Sequence, residues 1–155
     1  MKIRTMVKAD LPQVSKLAAQ LVRLHHGWDT KRFMLIDKVE EGYHWFLDTQ
    51  LDEPSALLLV AETDSGIIGY LYGSMEERNW NLLLDPCGAV NDVFVDPAKR
   101  KGGVATALMT EAFVRFKQRG APRVVLMSAQ ANVGGQSLFE KLGFRRTMIE
   151  LTREL

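Results

Sequence analysis

Between Ala89 and Arg119 the chain reads AVNDVFVDPAKRKGGVATALMTEAFVRFKQR, and no other stretch constrains the fold as much. Val90 to Val95 are mostly β-branched or aromatic, as a strand favours. Asp96-Pro97 ends the strand, and Lys99, Arg100 and Lys101 run straight into Gly102 and Gly103. From Val104 the period changes: Ala105, Leu108, Ala112 and Phe116 share one helical face, with Thr106, Glu111 and Arg115 elsewhere. Gly120 and Pro122 stop the helix. A helix start leaves unpaired N–H groups and a partial positive charge. Glycines let an anion approach the backbone, and flanking cations add attraction. The turn therefore reads as an anion site; the alternative is an ordinary strand–helix turn with solvated lysines.

The remaining elements follow from periodicity. Ile3 to Met6 is a short strand, and Asp10 is placed as an N-cap with Pro12 in the first turn. Leu11, Val14, Leu17, Ala18, Leu21 and Leu24 make the apolar face of a helix that His25-His26-Gly27-Trp28-Asp29 is expected to break. The adjacent histidines have no partner at helical ligand spacing, so they read as a loop or surface pair, or as an acceptor contact, rather than a metal site. Lys31 to Gln50 predicts one or two helices, with Ile36, Val39, Tyr43 and Phe46 at helical spacing and Trp45 and Phe46 expected in the core. Ala56 to Glu62 and Ile67 to Ser74 form a hairpin around Thr63-Asp64-Ser65-Gly66. Glu76 to Gly88 is a loop, either acceptor-facing or merely connecting. Val124 to Ser128 is a buried strand, Gly134-Gly135 lies in a loop, a short helix spans about Gln136 to Leu142, and Phe144 to Leu155 is extended.

With 155 residues and 46% hydrophobic content, the chain is expected to be a single domain, 1–155, with a real core. A net charge of +1 implies no polyanion partner, so neither nucleic acid nor a basic membrane-binding face is expected. Cys87 is the only cysteine, which excludes an intrachain disulfide and fits a reducing compartment. No signal peptide and no apolar run long enough to span a bilayer is seen, so the expected location is cytoplasmic. The nucleotide P-loop pattern G-x-x-x-x-G-K-S/T is absent.

Arg100-Lys101-Gly102-Gly103-Val104-Ala105 resembles the R-x-x-G-x-G/A signature of the GNAT acetyltransferase superfamily. Asn132 followed by Ser137-Leu138-Phe139-Glu140-Lys141-Leu142-Gly143-Phe144 resembles that family's Asn plus "LYEKLGF" segment, in the correct order. The resemblance implies a mixed α/β fold: a largely antiparallel twisted sheet whose central parallel strands splay apart, flanked by helices. It implies acetyl transfer from acetyl-CoA to an amine by direct attack in a ternary complex, with no metal. By position, the backbone of Phe94 and Val95 would meet the acetyl carbonyl and pantetheine. The N–H groups of Lys101, Gly102, Gly103, Val104, Ala105 and Thr106 would hold the pyrophosphate, with Arg100 opening the loop. Asn132 would bond the pantetheine arm, and Phe139 would pass the thioester. Members often add two terminal strands, so Phe144 to Leu155 implies either a truncated sheet or a strand completed in a homodimer.

Two positions depart from the family pattern. Phe139 stands where many members have Tyr, and Phe cannot protonate a leaving thiolate. A thiol of pKa about 8.5 is still a tolerable leaving group near neutrality. Asn91 stands where some members have Glu, and Asn is no base. A lysine-like amine is free-base in only about one molecule in a few thousand at pH 7, so the base matters more. Asp92 ranks first although strand alternation aims it away from Asn91's face, and Glu76 ranks second. The alternative function is a non-catalytic acyl-CoA-binding or sensing domain.

Overall fold

The computed structural model describes residues 1–155. Strands β1 (Lys2–Thr5), β2 (Ala56–Thr63), β3 (Gly66–Glu76), β4 (Cys87–Val95) and β5 (Val124–Leu126) form one sheet in chain order. The first four are antiparallel neighbours; β5 alone runs parallel to β4. That pairing covers only Gly88–Val90 against Val124–Leu126, so beyond Val90 the two strands part. Helices α1 (Leu11–Trp28) and α2 (Val39–Leu51) cover one face, and α3 (Val104–Gln118) and α4 (Val133–Lys141) cover the other. The expected mixed α/β fold, largely antiparallel with a splayed parallel pair, is the one observed.

Strand β2 shows why the sheet holds this place: alternate residues serve two cores. Leu57, Leu59 and Ala61 pack under Leu108, Met109, Ala112 and Phe116 of α3. Leu58 and Val60 pack with Leu11, Val14 and Leu17 of α1 and with Leu47 of α2. Both faces of a central strand covered by helices produce the continuous apolar run ALLLVA. Phe116 lies flat on the sheet because Gly88 faces it; a Cβ there would come within 2.7 Å of the ring.

Several expectations change. Helix α1 runs on through His25, His26 and Gly27 to Trp28, because one glycine costs a helix only about 1 kcal/mol and the hydrogen-bonded turns continue. Asp10 sits at the helix start but its side chain makes no cap; its carboxylate instead takes the Arg4 guanidinium and the Val7 N–H, at 2.7 and 2.9 Å. Residues 29–38 form a turn in which Asp29 accepts from the Lys31 and Arg32 N–H groups, so Lys31 to Gln50 holds one helix and Ile36 precedes it. Trp45 is 69% exposed rather than core, being on the outer side of α2. Gly134 and Gly135 belong to α4, because Asn132 caps the helix by accepting from the Gly135 N–H at 3.1 Å. Residues 145–155 add no strand; Arg32 and Glu150 pair to hold that tail against the turn after α1. No helix is long and apolar enough to cross a membrane.

Candidate active site

The gap where β4 and β5 part is a cleft of about 540 Å³. Its inner wall is Val90, Asn91, Asp92 and Val93 of β4, with Leu126, Met127, Ser128, Asn132 and Phe139 beside it. The opposite wall comes from α1, the 29–38 turn and α2, including Leu21, His25, Phe33 and Tyr43.

One irregularity sets the chemistry of the inner wall. The pairing of β3 with β4 slips between Tyr72 and Gly73, so that Tyr72 faces Asp92 while Gly73 faces Val90. Asn91 is the extra residue of a β-bulge. Asn91 Nδ2 donates to Ser74 Oγ at 2.9 Å, and Tyr70 Oη donates to Asp92 Oδ2 at 3.0 Å. Tyr70 and Ser74 lie on the same face of β3, so Asn91 and Asp92 both turn to the cleft. The alternation expected from the sequence is thereby overturned, in favour of Asp92 as a cleft residue.

Asp92 is half-buried and has no cation at hydrogen-bonding distance. Burial pushes its pKa above the ordinary aspartate value; the hydroxyls of Tyr70 and Tyr43 and the nearby His25 pull the other way. Glu76 does not line the cleft. It stands at the exposed end of β3 and takes the hydrogen bond of Ser74 Oγ, so it connects to the cleft only through Ser74 and Asn91.

Past the cleft, β4 leads into the basic turn. Lys101 and Gly103 both have left-handed backbones, with φ of 67° and 74°. A Cβ on Gly103 would meet nothing within 4 Å, so the surface above this turn is open. The N–H groups of Lys101, Gly102, Gly103, Val104, Ala105 and Thr106 find no acceptor in the protein, and α3 has no side-chain cap. Six consecutive free donors at the positive end of a helix, beside Lys99 and Lys101, suit a diphosphate. Arg100 points back along β4, with Nε 3.3 Å from the Val95 carbonyl and its guanidinium 5.3 Å from the centre of the Phe94 ring. The side chains of Phe94 and Val95 are buried, which leaves their backbone as the part near this end of the cleft.

On the β5 side, the Asn132 side-chain carbonyl caps α4, and its amide N–H₂, in the cleft lining, has no hydrogen-bond partner in the chain. Ser128 Oγ is buried without any hydrogen-bond partner and lies in the cleft lining, as an orphaned group awaiting one would. Phe139 packs on Phe144, their ring centres 6.0 Å apart, and closes the cleft floor.

The sequence reading offered His25 as an acceptor contact but placed it in a loop, and it missed Tyr43 and Tyr70 as neighbours of Asp92. His25 continues the Leu17–Leu21 stripe four residues on, which a reading of α1 extended by one turn would have placed on the same face. Its Nδ1 is 2.9 Å from the Leu21 carbonyl, and its ring stands edge-on to Trp28 and Phe33. For Tyr43 and Tyr70 no local signal distinguishes a hydroxyl that meets Asp92 from one that merely ends in the core.

A largely antiparallel sheet whose one parallel pair splays, joined to a basic turn at an uncapped helix start, is the fold the sequence resemblance implies. The chain belongs to the acetyltransferase (GNAT) family, whose model matches residues 20–144. It is 29% identical over 126 residues to a mycothiol acetyltransferase of Salinispora tropica, a match that covers 77% of this chain and 40% of that protein's length. The chain thus spans less than half of that relative. Among solved structures, an aminoglycoside antibiotic 6'-N-acetyltransferase from Acinetobacter haemolyticus superposes with a TM-score of 0.76 at 25% identity, over 100% of this chain and 99% of the other. An aminoglycoside N-acetyltransferase in complex with CoA superposes at 0.76 and 20% identity, over 99% and 98% of the two chains, a likeness of fold.

Proposed function

We propose that this chain is a single-domain N-acetyltransferase that carries acetyl from acetyl-CoA to a primary amine by direct attack in a ternary complex. One observation carries the reading: β4 leads from a cleft holding the desolvated Asp92 directly to six free N–H donors at a basic turn. The bound acetyl-CoA would supply an activated acyl carbon whose C–S bond breaks, with the electron pair leaving on sulfur, as the amine's C–N bond forms.

The chain's own residues do the rest. Lys101 to Thr106 hold the diphosphate, with Lys99 nearby to balance its charge. Asn132 N–H₂ and Ser128 Oγ take the polar groups of the arm, and the parted backbone at Phe94 and Val95 receives the acyl end. Asp92 holds the incoming ammonium and accepts a proton at a carboxylate oxygen; its raised pKa makes it a better base than a free aspartate. Glu76 acts at one remove, fixing Ser74 and through it Asn91. Phe139 leaves the thiolate to take its proton from solvent. Alignment of two bound reactants supplies up to about 7–11 kcal/mol of the barrier reduction, which lessens the need for an acid.

A second reading has its own observation. Phe139 and Asn91 stand at both usual proton-transfer positions and neither titrates, which favours a non-catalytic acyl-CoA sensor. Calorimetric titration with acetyl-CoA, followed by free-thiol release on a panel of amines, separates the two. Binding with turnover supports the transferase, binding without turnover the sensor, and no binding sinks both. The homodimer expected of the terminal segment belongs to the same proposal: Met148, Ile149 and Leu151 are exposed on the tail, and sedimentation showing a monomer would count against it.

A further inference from the structure

We infer that the acceptor is a monoamine on an apolar or aromatic body, not a polycation, and that the wall formed by α1, the 29–38 turn and α2 selects it. The inference rests on the acetyl-transfer reading above. Each ammonium taken out of water needs an anionic partner. The cleft lining contains one carboxylate, Asp92.

Of the other acids around that wall, Asp37 is exposed on the turn and does not line the cleft, and the rest are already engaged. Asp29 accepts from two backbone N–H groups, both at 3.0 Å. Glu40 takes the Arg23 guanidinium with both oxygens, at 2.8 and 3.0 Å. Glu41 faces Lys38 at 3.4 Å, and Glu150 pairs with Arg32. The charged side chain that this wall adds to the lining is Arg32, and its pairing with Glu150 leaves no net negative charge there for a second ammonium.

What the wall offers instead is apolar surface. Leu21, Phe33, Met34, Ile36 and Val39 line it, and Met34 and Ile36 are 78% and 49% exposed at the rim, where no part of the chain covers them. Apolar side chains left open beside a cleft mark the place of an apolar ligand. His25 adds one polar point. A carbonyl only accepts, so in the neutral ring Nδ1 carries the hydrogen that bonds the Leu21 oxygen, and Nε2 keeps its lone pair. Asp92 and His25 Nε2 together suit one ammonium, and the apolar wall suits the body that carries it.

The test is thiol release at saturating acetyl-CoA with 2-phenylethylamine, spermidine and kanamycin, on the parent protein and on Phe33→Ala and Ile36→Glu. The parent should favour phenylethylamine in kcat/KM by at least about tenfold over either polycation. Phe33→Ala should raise KM for phenylethylamine with acetyl-CoA affinity unchanged. Ile36→Glu, a substitution at an exposed turn position, should shrink or invert the preference. Turnover that favours spermidine or kanamycin in the parent overturns the inference while leaving acetyl transfer standing, as does a preference that neither variant alters. Failure of acetyl-CoA to bind, or of every amine to release thiol, overturns the transfer reading and this inference with it.

Discussion

Asp10 and Asp92 are both withdrawn from water, and their surroundings are opposite. Asp10, 6% exposed, receives both terminal nitrogens of Arg4, at 2.7 and 2.9 Å, and the Val7 N–H. Arg4 also reaches Glu62 on β2 at 2.8 and 2.9 Å, so the cluster stitches β1 to β2 and to the start of α1. The Arg4 hydrogen bonds hold the Asp10 carboxyl below the usual carboxylate range. Asp92 has tyrosine hydroxyls and no guanidinium, and burial holds its pKa up. An acid with a cation contributes to folding. An acid buried without one costs stability and is retained for another reason, which is how a site announces itself.

The widest separation between the two should come from Asp92→Asn. Turnover should fall by about 10²–10⁴-fold with no loss of thermal stability, read from steady-state rates and a melting curve. A clear drop in Tm with activity retained would reverse the assignment. Asp10→Asn should do the opposite, destabilising by about 2 kcal/mol in denaturant titration with kcat unchanged.

The pH dependence of stability sharpens the contrast. The folded pKa of Asp10 lies below its unfolded value of about 3.9, so its stabilisation is complete above that value and disappears as pH falls through the folded pKa. Asp92 lies above its unfolded value, so its cost is absent at low pH and grows as pH rises through the interval between the two pKa values. Asp92→Asn should therefore gain on the parent at pH 7, and the gain should vanish near pH 4 and below. A gain that stays constant across this range would remove the buried-acid account.

Two smaller effects probe the cleft side alone. Gly103→Asp places a negative side chain over the free N–H groups and should weaken acetyl-CoA binding by more than about tenfold with the fold retained, since Asp tolerates a left-handed backbone. Phe139→Tyr should leave binding unchanged and raise turnover by less than about tenfold; lost binding would mean the ring packed against Phe144 admits no hydroxyl.

Much of the architecture was legible because it rests on period and punctuation. The change from period 2 to period 3.6 at Gly102-Gly103 and the turn at Thr63–Gly66 are written in residue types, and the structure follows them. The N–H run of the basic turn was legible for the same reason. The errors share a physical origin. Gly27, Gly134 and Gly135 look like breaks, yet a helix tolerates glycine when its neighbours are anchored, by packing in α1 and by the Asn132 cap in α4. Asp10 looks like a cap, but the Arg4 guanidinium, six residues earlier on β1, takes its oxygens in place of the first amides of α1. The bulge at Asn91 has no signature of its own, because it is a property of the pairing between β3 and β4 and not of either strand.

That bulge divides β4 into two halves out of phase with each other. Gly88 and Val90 face α3 before it, and Val93 and Val95 face α3 after it. Removing one residue between Val90 and Val93 would restore strict alternation with Gly88, Val90, Val93 and Val95 still facing α3, and would leave one side chain where Asn91 and Asp92 now both turn to the cleft. The extra residue therefore serves the cleft and not the core. A single-codon deletion there should leave the core and the melting temperature nearly intact while removing one of the two neighbouring polar side chains of the cleft.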